Sequence, residues 1–276
     1  HKGAPRADAF VAQAGTDPLF NRYPMRSFSA EVNLTTTVAA LLPVLTEALA
    51  ATGAQKNAAA RRERLAARAL ATRKAVEERG AREAAKDGPI TKMFFTRTLD
   101  ALRPRDAVIV NEYSALREFL TLDEPGSYFP NPVSAGLGWG LPAALGAQQA
   151  LPGRTVIAVQ GDGAYIFANP AACHHAANLH KLPVLTLVFN NARWAAVHAA
   201  ADAMYPGEHA MQHADQHGTA PLSSLAPLPD FEKYVEASGG YGERVETRAQ
   251  LGPAIERALK VVREEKRQAL LNIIGK

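Results

Sequence analysis

The chain has 276 residues, enough for one large domain or two modest ones with a proper hydrophobic core. Its formal net charge of +4 and its 21% of charged residues are ordinary, so charge alone requires no nucleic-acid partner. The single cysteine, Cys173, excludes an internal disulfide framework and fits a reducing compartment. We find no secretory signal and no apolar run of the roughly 18–20 residues that a membrane span needs, and therefore expect a cytoplasmic protein without membrane contact. Because the chain begins at His1 rather than at a methionine, we expect a fragment or a processed chain.

Residues 1–88 are predicted to form a short first segment and a helical linker. Five apolar residues recur at helical spacing and predict a helix between residues 38 and 50: Val38, Leu41, Leu42, Leu45 and Leu49. Residues 55–85 are rich in Ala, Arg and Glu, which predicts a second helix. Its basic excess is compatible with a nucleic-acid-binding helix, but it lacks interleaved aromatic residues. We therefore favour a solvated helix between domains and expect no nucleic-acid partner.

From Ile90 onward, the pattern predicts a helix over residues 91–102 and a strand over residues 107–111. Ser114 lies just past the carboxyl end of that strand, either as a helix cap or as a ligand-binding hydroxyl. A glycine-rich stretch then leads into a helix from Pro142 to Leu151. Its glycines do not form a dinucleotide fingerprint, because the third glycine of that motif would be residue 141, which is Leu.

Residues 155–191 have the pattern of a βαβ unit. Two short apolar runs, 155–160 and 184–189, predict buried strands, and residues 169–180 between them have helix-compatible composition. Parallel strands would place Asp162 and Asn191 at the same edge of the sheet, where open α/β sheets bind ligands.

The residues at that edge suit a metal-bound phosphate. The carboxylate of Asp162 and the carboxamide of Asn191 offer the oxygen ligands that Mg²⁺ prefers. Gly161 and Gly163 allow backbone N–H groups to approach a phosphate closely. The alternative is that Asp162 and Asn191 only cap neighbouring backbone groups at a strand-end turn.

A series of spaced motifs surrounds this unit. Gly161-Asp162-Gly163 is followed, after twenty-six residues, by Asn190-Asn191, and it is preceded by Asn111-Glu112, Gly126-Ser127-Tyr128 and the run from Ser134 to Ala144. Together these motifs resemble the C-terminal half of thiamine-diphosphate-dependent enzymes of the acetolactate synthase, benzoylformate decarboxylase and benzaldehyde lyase superfamily. The resemblance covers about residues 89–276, and residues 17–28 resemble the end of that family's middle domain.

The resemblance implies an α/β fold, in which residues 89–276 form a parallel sheet flanked by helices, the thiamine-diphosphate-binding fold. It implies that residues 1–51 are the remnant of a Rossmann-like middle domain and that residues 52–88 are a helical linker. The family's activating glutamate belongs to a pyrimidine-binding domain, to which nothing in this chain corresponds. We therefore expect the chain to be inactive alone and to be completed, in a homodimer or tetramer, by a missing N-terminal half or by another chain. FAD, which some relatives carry in the middle domain, is not expected.

The resemblance also assigns roles to individual residues. Mg²⁺ would be held by the Asp162 carboxylate, the Asn191 side chain and the backbone oxygen of Arg193. Leu137 would hold thiamine diphosphate in a bent shape, so that an amino group of the cofactor itself serves as the base. The cofactor-binding set is Ser114, Ala135, Gly136, Leu137, Gly161, Gly163, Ala164, Asn191 and Trp194, where Trp194 either stacks on a ligand or packs. The positions that border the substrate are Ala196, Val197 and Ala200.

The implied reaction is decarboxylation of a small 2-oxo acid, with or without carboligation. Acetolactate synthases carry additional residues in the turn between Gly136 and Trp139 and differ where this chain has Asn169-Pro170, so strict acetolactate synthesis is not expected. A benzoylformate- or benzaldehyde-type decarboxylase or lyase and a hydrolase of cyclic diketones remain open. The alternative from another class is a non-catalytic regulatory module that binds a different diphosphate, such as a nucleotide.

Three histidines after this unit recur every four residues: His209, His213 and His217. On one helix they would share a face and suit a transition metal. Gly207, Gly218 and Pro221 around them instead favour a loop over the active site. The remaining pattern predicts two helix–strand pairs: helix 230–238, strand 241–246, helix 250–265 and strand 269–274.

Overall fold

The computed structural model describes residues 5–21, 29–53, 58–132, 136–209, 211–213, 221–227 and 229–276. The chain divides into two compact units, residues 1–73 and residues 74–276. The three-segment division at residues 51 and 88 remains a prediction. No helix in the described ranges is both long and apolar enough to cross a membrane.

The first unit contains a pair of short parallel strands, one complete helix and the first part of a second helix. Strands β1 (Ala12–Gly15) and β2 (Val32–Thr35) pair in parallel, and helices α1 (Val38–Ala51) and α2 (Ala58–Ala84) follow. Helix α1 begins at Thr37, whose hydroxyl accepts the N–H of Ala40 at 3.2 Å. The sequence predicts both helices but neither strand, because four-residue strands carry too little periodicity to be recognised. The assignment of this unit to a partial Rossmann-like domain stays a prediction.

The second unit is built on a parallel sheet. Within the described residues the sheet has six strands in the order β4-β3-β5-β6-β8-β7. Its strands are β3 (Val108–Glu112), β4 (Tyr128–Pro130), β5 (Val156–Gly161), β6 (Leu185–Asn190), β7 (Tyr241–Val245) and β8 (Ala269–Ile274). Its helices are α3 (Lys92–Leu102), α4 (Gly140–Ala150), α5 (Asp162–Phe167), α6 (Pro170–Leu179), α7 (Ala195–Met204), α8 (Phe231–Glu236) and α9 (Arg248–Arg263). The predicted α/β fold with a parallel sheet flanked by helices is confirmed.

Helices cover both faces of this sheet, which is why its central strands are apolar throughout. One face packs against α3 and α9, with Phe95 and Ile255 beside Ile157. The other packs against α4 and α8, with Leu145 and Phe231 in the same core cluster as the central strands. Successive residues of a strand alternate between the two cores, so each strand is anchored on both sides and its carboxyl end is held rigidly.

The site lies where the direction of winding changes. From β3 the chain adds β4 on one side, then returns to add β5 and β6 on the other. Residues just beyond β3 and β5 therefore border the crevice at the switch point, the usual ligand position in an open α/β sheet. The parallel pairs Glu112–Gln160 and Gly161–Phe189 align the three strand ends.

Two elements beside this crevice are not predicted from sequence. Residues 162–167 form helix α5 directly after β5, where the pattern predicts only a turn, and the short edge strand β4 is missed. Helix α5 is six residues long, less than two full turns, so no apolar periodicity can show it.

Candidate active site

Asp162 joins the ends of two neighbouring strands. It is the first residue of α5 and only 4% exposed. Its Oδ1 accepts the N–H of Gly163 at 2.9 Å, and its Oδ2 accepts the N–H groups of Asn191 at 3.1 Å and Arg193 at 3.3 Å. Burial raises the pKa of the Asp162 carboxyl group, and these amide donors act in the opposite direction. The contacts hold the loop after β6 directly against the start of α5.

The loop after β6 presents oxygen atoms beside Asp162. The side-chain Oδ1 of Asn191 accepts the N–H of Arg193 at 3.2 Å, and the carbonyl of Arg193 accepts the N–H of Ala195 at 2.9 Å. Asp162, Asn191 and Arg193, the three predicted metal ligands, are thus brought together. Carboxylate, carboxamide and backbone oxygens are the donor set of a hard divalent cation, so the residues fit Mg²⁺. In the described part of the chain no group of three or more His, Cys, Asp or Glu side chains is placed to hold a metal ion.

The turn after β3 places the hydroxyl group of Ser114 at the crevice, where no described residue forms a hydrogen bond with it. Ser114 is 1% exposed, and its Oγ has no hydrogen-bond partner among the described residues. A Cβ atom added to Gly161 would lie 3.7 Å from this oxygen, so the hydroxyl borders the end of β5. Buried hydroxyl groups are normally satisfied, so this one is available to a ligand oxygen such as that of a phosphate.

The residues on both sides of Ser114 have a defined conformation or defined hydrogen bonds. The preceding residue, Tyr113, has φ +69°, a left-handed conformation that costs a non-glycine residue about 1–2 kcal/mol. The following residue, Ala115, is bound through both its N–H and its C=O to the side chain of Asn111, at 2.8 and 3.0 Å. Ser114 is therefore fixed in position rather than free to turn away. It does not act as the helix cap that the sequence also allows.

Glu112 is a site residue whose role the sequence does not reveal. It is fully buried, and its carboxylate accepts the N–H groups of Gly138 and Gly140 at 2.7 Å each and the Nε2 of Gln160 at 2.9 Å. These contacts tie the glycine-rich turn to the end of β3. The sequence places the Glu112 carboxylate at the carboxyl end of a predicted strand, but its local pattern does not predict which groups the carboxylate binds.

The glycine-rich turn carries Leu137, which the sequence assigns to the bent cofactor. Leu137 is 42% exposed, unusual for a leucine beside a packed core, and it is free to contact a ligand. The next residue, Gly138, has φ +92°, and an added Cβ would lie 2.5 Å from the carbonyl carbon of Phe167. Only glycine fits there. Gly136 lies in the described turn, whereas Ala135 lies outside the described residues.

Trp194 packs against the start of α5. A Cβ atom added to Gly163 would lie 2.3 Å from the indole ring of Trp194, and Phe167 meets the ring edge-on at 5.4 Å between centroids. These contacts support the packing alternative for Trp194 and explain why Gly163 carries no side chain. Ala164, also predicted to bind the cofactor, is buried next to Gly163.

The predicted substrate-side residues share an exposed surface of α7. Ala196, Val197 and Ala200 are all exposed. His209 and His213 are exposed farther along the chain, and His217 lies outside the described residues. The three-histidine site therefore stays untested.

A buried chain of hydrogen bonds links α5 to the rest of the domain. The hydroxyl of Tyr165 lies 2.8 Å from Nε2 of His174, and Nδ1 of His174 lies 2.8 Å from Oε1 of Gln268. Because the Nε2 of Gln268 donates to the His174 carbonyl at 2.9 Å, its Oε1 is the acceptor. His174 thus donates from Nδ1 and accepts the Tyr165 hydroxyl at Nε2. Burial lowers the pKa of His174.

These features define an α/β domain that presents a crevice of oxygen ligands and backbone N–H groups at the carboxyl edge of a parallel sheet. The family described as "Thiamine pyrophosphate enzyme, C-terminal TPP binding domain" matches residues 111–273. The chain belongs to this family, as the spaced motifs predict.

Relatives and a solved structure agree with this assignment. The chain is 37% identical to benzoylformate decarboxylase of Pseudomonas aeruginosa over 118 residues, which are 41% of this chain and 22% of the relative. It is 31% identical to the large subunit of acetolactate synthase isozyme 3 of Escherichia coli over 173 residues, or 61% of this chain and 28% of the relative. Among solved structures it resembles a thiamine diphosphate-dependent 4-hydroxybenzoylformate decarboxylase of Rhodococcus jostii, with a TM-score of 0.57, 29% identity and coverage of 70% of this chain and 34% of that one. The chain thus spans roughly a quarter to a third of the length of these proteins.

Proposed function

We propose that this chain is the diphosphate-binding half of a thiamine-diphosphate- and Mg²⁺-dependent enzyme that acts on 2-oxo acids. The reaction is decarboxylation, with or without carboligation. The observation that carries the proposal is the convergence of Asp162 with the loop of residues 191–193, beside the unpartnered hydroxyl of Ser114. A metal-bound diphosphate requires oxygen ligands for the metal and hydrogen-bond donors for the phosphates at one place.

The residues at this edge divide into three sets. Asp162, the Asn191 side chain and the Arg193 carbonyl hold Mg²⁺. Donors that bind phosphate come from Ser114 and from the backbone of Gly136, Gly161 and Ala164, and Gly163 lets the phosphate approach because it carries no side chain. Ala135 and Leu137 receive the aminopyrimidine, with Leu137 enforcing the bent shape. When bound, thiamine diphosphate would supply a carbanion able to add to a carbonyl carbon, and its ring would accept the electrons released when carbon dioxide leaves.

Other parts of the enzyme complete this half site. The exposed surface formed by Ala196, Val197 and Ala200 borders the substrate. Large side chains remain exposed around the crevice, including those of Tyr113 and Phe167. Such a surface suits a covering domain that supplies the pyrimidine-binding half, in a cytoplasmic homodimer or tetramer.

Titration calorimetry on the 276-residue chain tests the proposal against nucleotide binding. Thiamine diphosphate, pyrophosphate, ADP and NAD are each titrated with and without Mg²⁺. We expect thiamine diphosphate and pyrophosphate to bind only with Mg²⁺, and neither nucleotide to bind more tightly. Preference for ADP or NAD would instead establish a nucleotide-binding module.

Two substitutions test the metal ligands and the phosphate donors in turn. Asp162→Asn removes a metal ligand, and we expect it to abolish Mg²⁺-dependent binding, while Asp123→Ala, at an exposed acidic residue, leaves binding unchanged. Ser114→Ala removes a hydroxyl that has no protein partner, so we expect unaltered stability but about tenfold weaker pyrophosphate binding, about 1.4 kcal/mol. A Ser114→Ala chain that binds pyrophosphate as tightly as the unaltered chain would argue against a phosphate at this position.

A further inference from the structure

Lys92 lies at the same edge of the sheet as the proposed diphosphate site. It is the first residue of α3, and its Nζ donates to the carbonyl of Tyr113 at 3.1 Å. The ammonium group also lies 5.9 Å from the ring centroid of Phe189, near the end of β6. Its contacts therefore join the turn after β3 to the end of β6, the two sides of the crevice.

This lysine is half-buried without a carboxylate to pair with. Among the described residues the hydrogen bond to Tyr113 is the one polar contact of the Lys92 ammonium group, and no Asp or Glu forms an ion pair with it. Burial lowers the pKa of Lys92, and the nearby Asp162 carboxylate raises it. Lysines are rarely withdrawn from water unless a negative group compensates for the lost hydration. Burial is the larger of these two effects, so the Asp162 charge does not fully compensate for the hydration that Lys92 loses.

The residue that Lys92 contacts precedes the unpartnered hydroxyl. Tyr113 is in the left-handed conformation, and its carbonyl is held by Lys92. Ser114 follows directly, with its hydroxyl buried and unsatisfied. Lys92 is therefore hydrogen-bonded to the residue that directly precedes this hydroxyl.

We propose that Lys92 is a diphosphate-site residue, which anchors the Tyr113–Ser114 turn and supplies a positive charge to the phosphates. The inference rests on the proposed function. A diphosphate together with Asp162 carries more negative charge than one divalent cation neutralises, and a partly desolvated ammonium group nearby reduces the excess. Such a charge acts more strongly than one at the surface, because it is less screened by water.

The experiment compares Lys92→Met and Lys92→Arg with the unaltered 276-residue chain. Calorimetric titration with magnesium pyrophosphate should show about tenfold weaker binding for Lys92→Met and a smaller loss for Lys92→Arg, which keeps the charge. Thiamine without phosphates serves as a second titrant, and its binding, however weak, should not differ among the variants. Lys260→Met, at an exposed position of α9, should bind pyrophosphate like the unaltered chain.

Denaturation curves of the same variants separate folding from binding. If Lys92→Met lowers stability while pyrophosphate affinity stays the same, the lysine is only a structural clamp and the proposal is overturned. If Lys92→Met does not fold, Lys92→Gln takes its place under the same criteria. If the unaltered chain binds neither pyrophosphate nor thiamine diphosphate, the proposed function fails, and this role of Lys92 fails with it.

Discussion

Replacing Glu112 with glutamine leaves a buried N–H of the glycine-rich turn without an acceptor. In the native chain one carboxylate oxygen accepts from Gly138, and the other accepts from Gly140 and from the amide of Gln160. Glutamine offers one oxygen and one NH₂ group in the same space. Gln160 can rotate to present its unpartnered Oε1 to the new NH₂ group. One of the two glycine N–H groups still faces a donor.

The expected loss of stability in Glu112→Gln follows from these contacts. An unsatisfied buried N–H costs about 1–3 kcal/mol, and weakening the remaining charge-assisted bond costs about 1 kcal/mol more. Removing a buried negative charge recovers part of that cost. We therefore expect Glu112→Gln to lower the free energy of unfolding by about 2 kcal/mol. Glu112→Ala, which leaves both glycine N–H groups and the Gln160 amide unpaired, should cost more than the glutamine variant.

Urea denaturation followed by tryptophan fluorescence measures this effect, since both tryptophans of the chain, Trp139 and Trp194, lie beside the site. The matched control is Glu256→Gln, at an exposed position of α9, where we expect no change in the unfolding midpoint. A Glu112→Gln chain within about 0.5 kcal/mol of the unaltered chain would show that the carboxylate does not hold the turn. Because the turn carries Leu137, we also expect this variant to bind thiamine diphosphate more weakly while its affinity for magnesium pyrophosphate changes little.

Two further perturbations test the packing around the site. Gly138→Ala introduces a side chain at φ +92° and within 2.5 Å of backbone, so we expect a loss of about 2–5 kcal/mol in urea denaturation. Gly146→Ala, in helix α4 with open space around it, should be neutral or stabilising, and an equal loss in both variants would contradict the steric argument. For His174, burial lowers the pKa below its ordinary 6.5, so the unfolded chain binds this proton more readily than the folded one. The His174 imidazole does not affect the free energy of unfolding above about pH 6.5. As the pH falls from there towards the lowered pKa, the free energy of unfolding decreases by at most about 1.4 kcal/mol per pH unit. We expect His174→Asn to remove this dependence of stability on pH, and His175→Asn, at an exposed position of the same helix, to retain it. An unchanged pH dependence in His174→Asn would show that other groups cause it.

The sheet and the neighbourhood of Asp162 and Asn191 follow from local pattern. Two apolar runs separated by a helix-compatible segment predict parallel strands, and parallel strands bring their carboxyl ends to one edge. The other strands are not needed for this prediction. In the structure the Asp162 carboxylate lies 3.1 Å from the backbone nitrogen of Asn191. That Asp162 and Asn191 bind magnesium remains a prediction.

Elements too short for a periodic pattern required the structure. Strands β1, β2 and β4 have three or four residues each, and helix α5 has six. Their existence depends on the partners they pair with or pack against, which sequence order does not specify. Only the structure likewise shows that the indole ring of Trp194 packs in the space left by the missing side chain of Gly163.

Residue types and their spacing along the chain were sufficient to predict the α/β sheet and the edge at which we propose that ligands bind, and the resemblance of the spaced motifs predicted the family. Only the tertiary structure showed how that edge is held together. Glu112 meets Gly138 across 26 positions and Gln160 across 48, and Lys92 meets Tyr113 across 21. Contacts over such separations depend on strand register and on the path of the loops, so no local period encodes them. The buried, unpaired Ser114 hydroxyl is of the same kind, because it is defined by neighbours that only folding brings near.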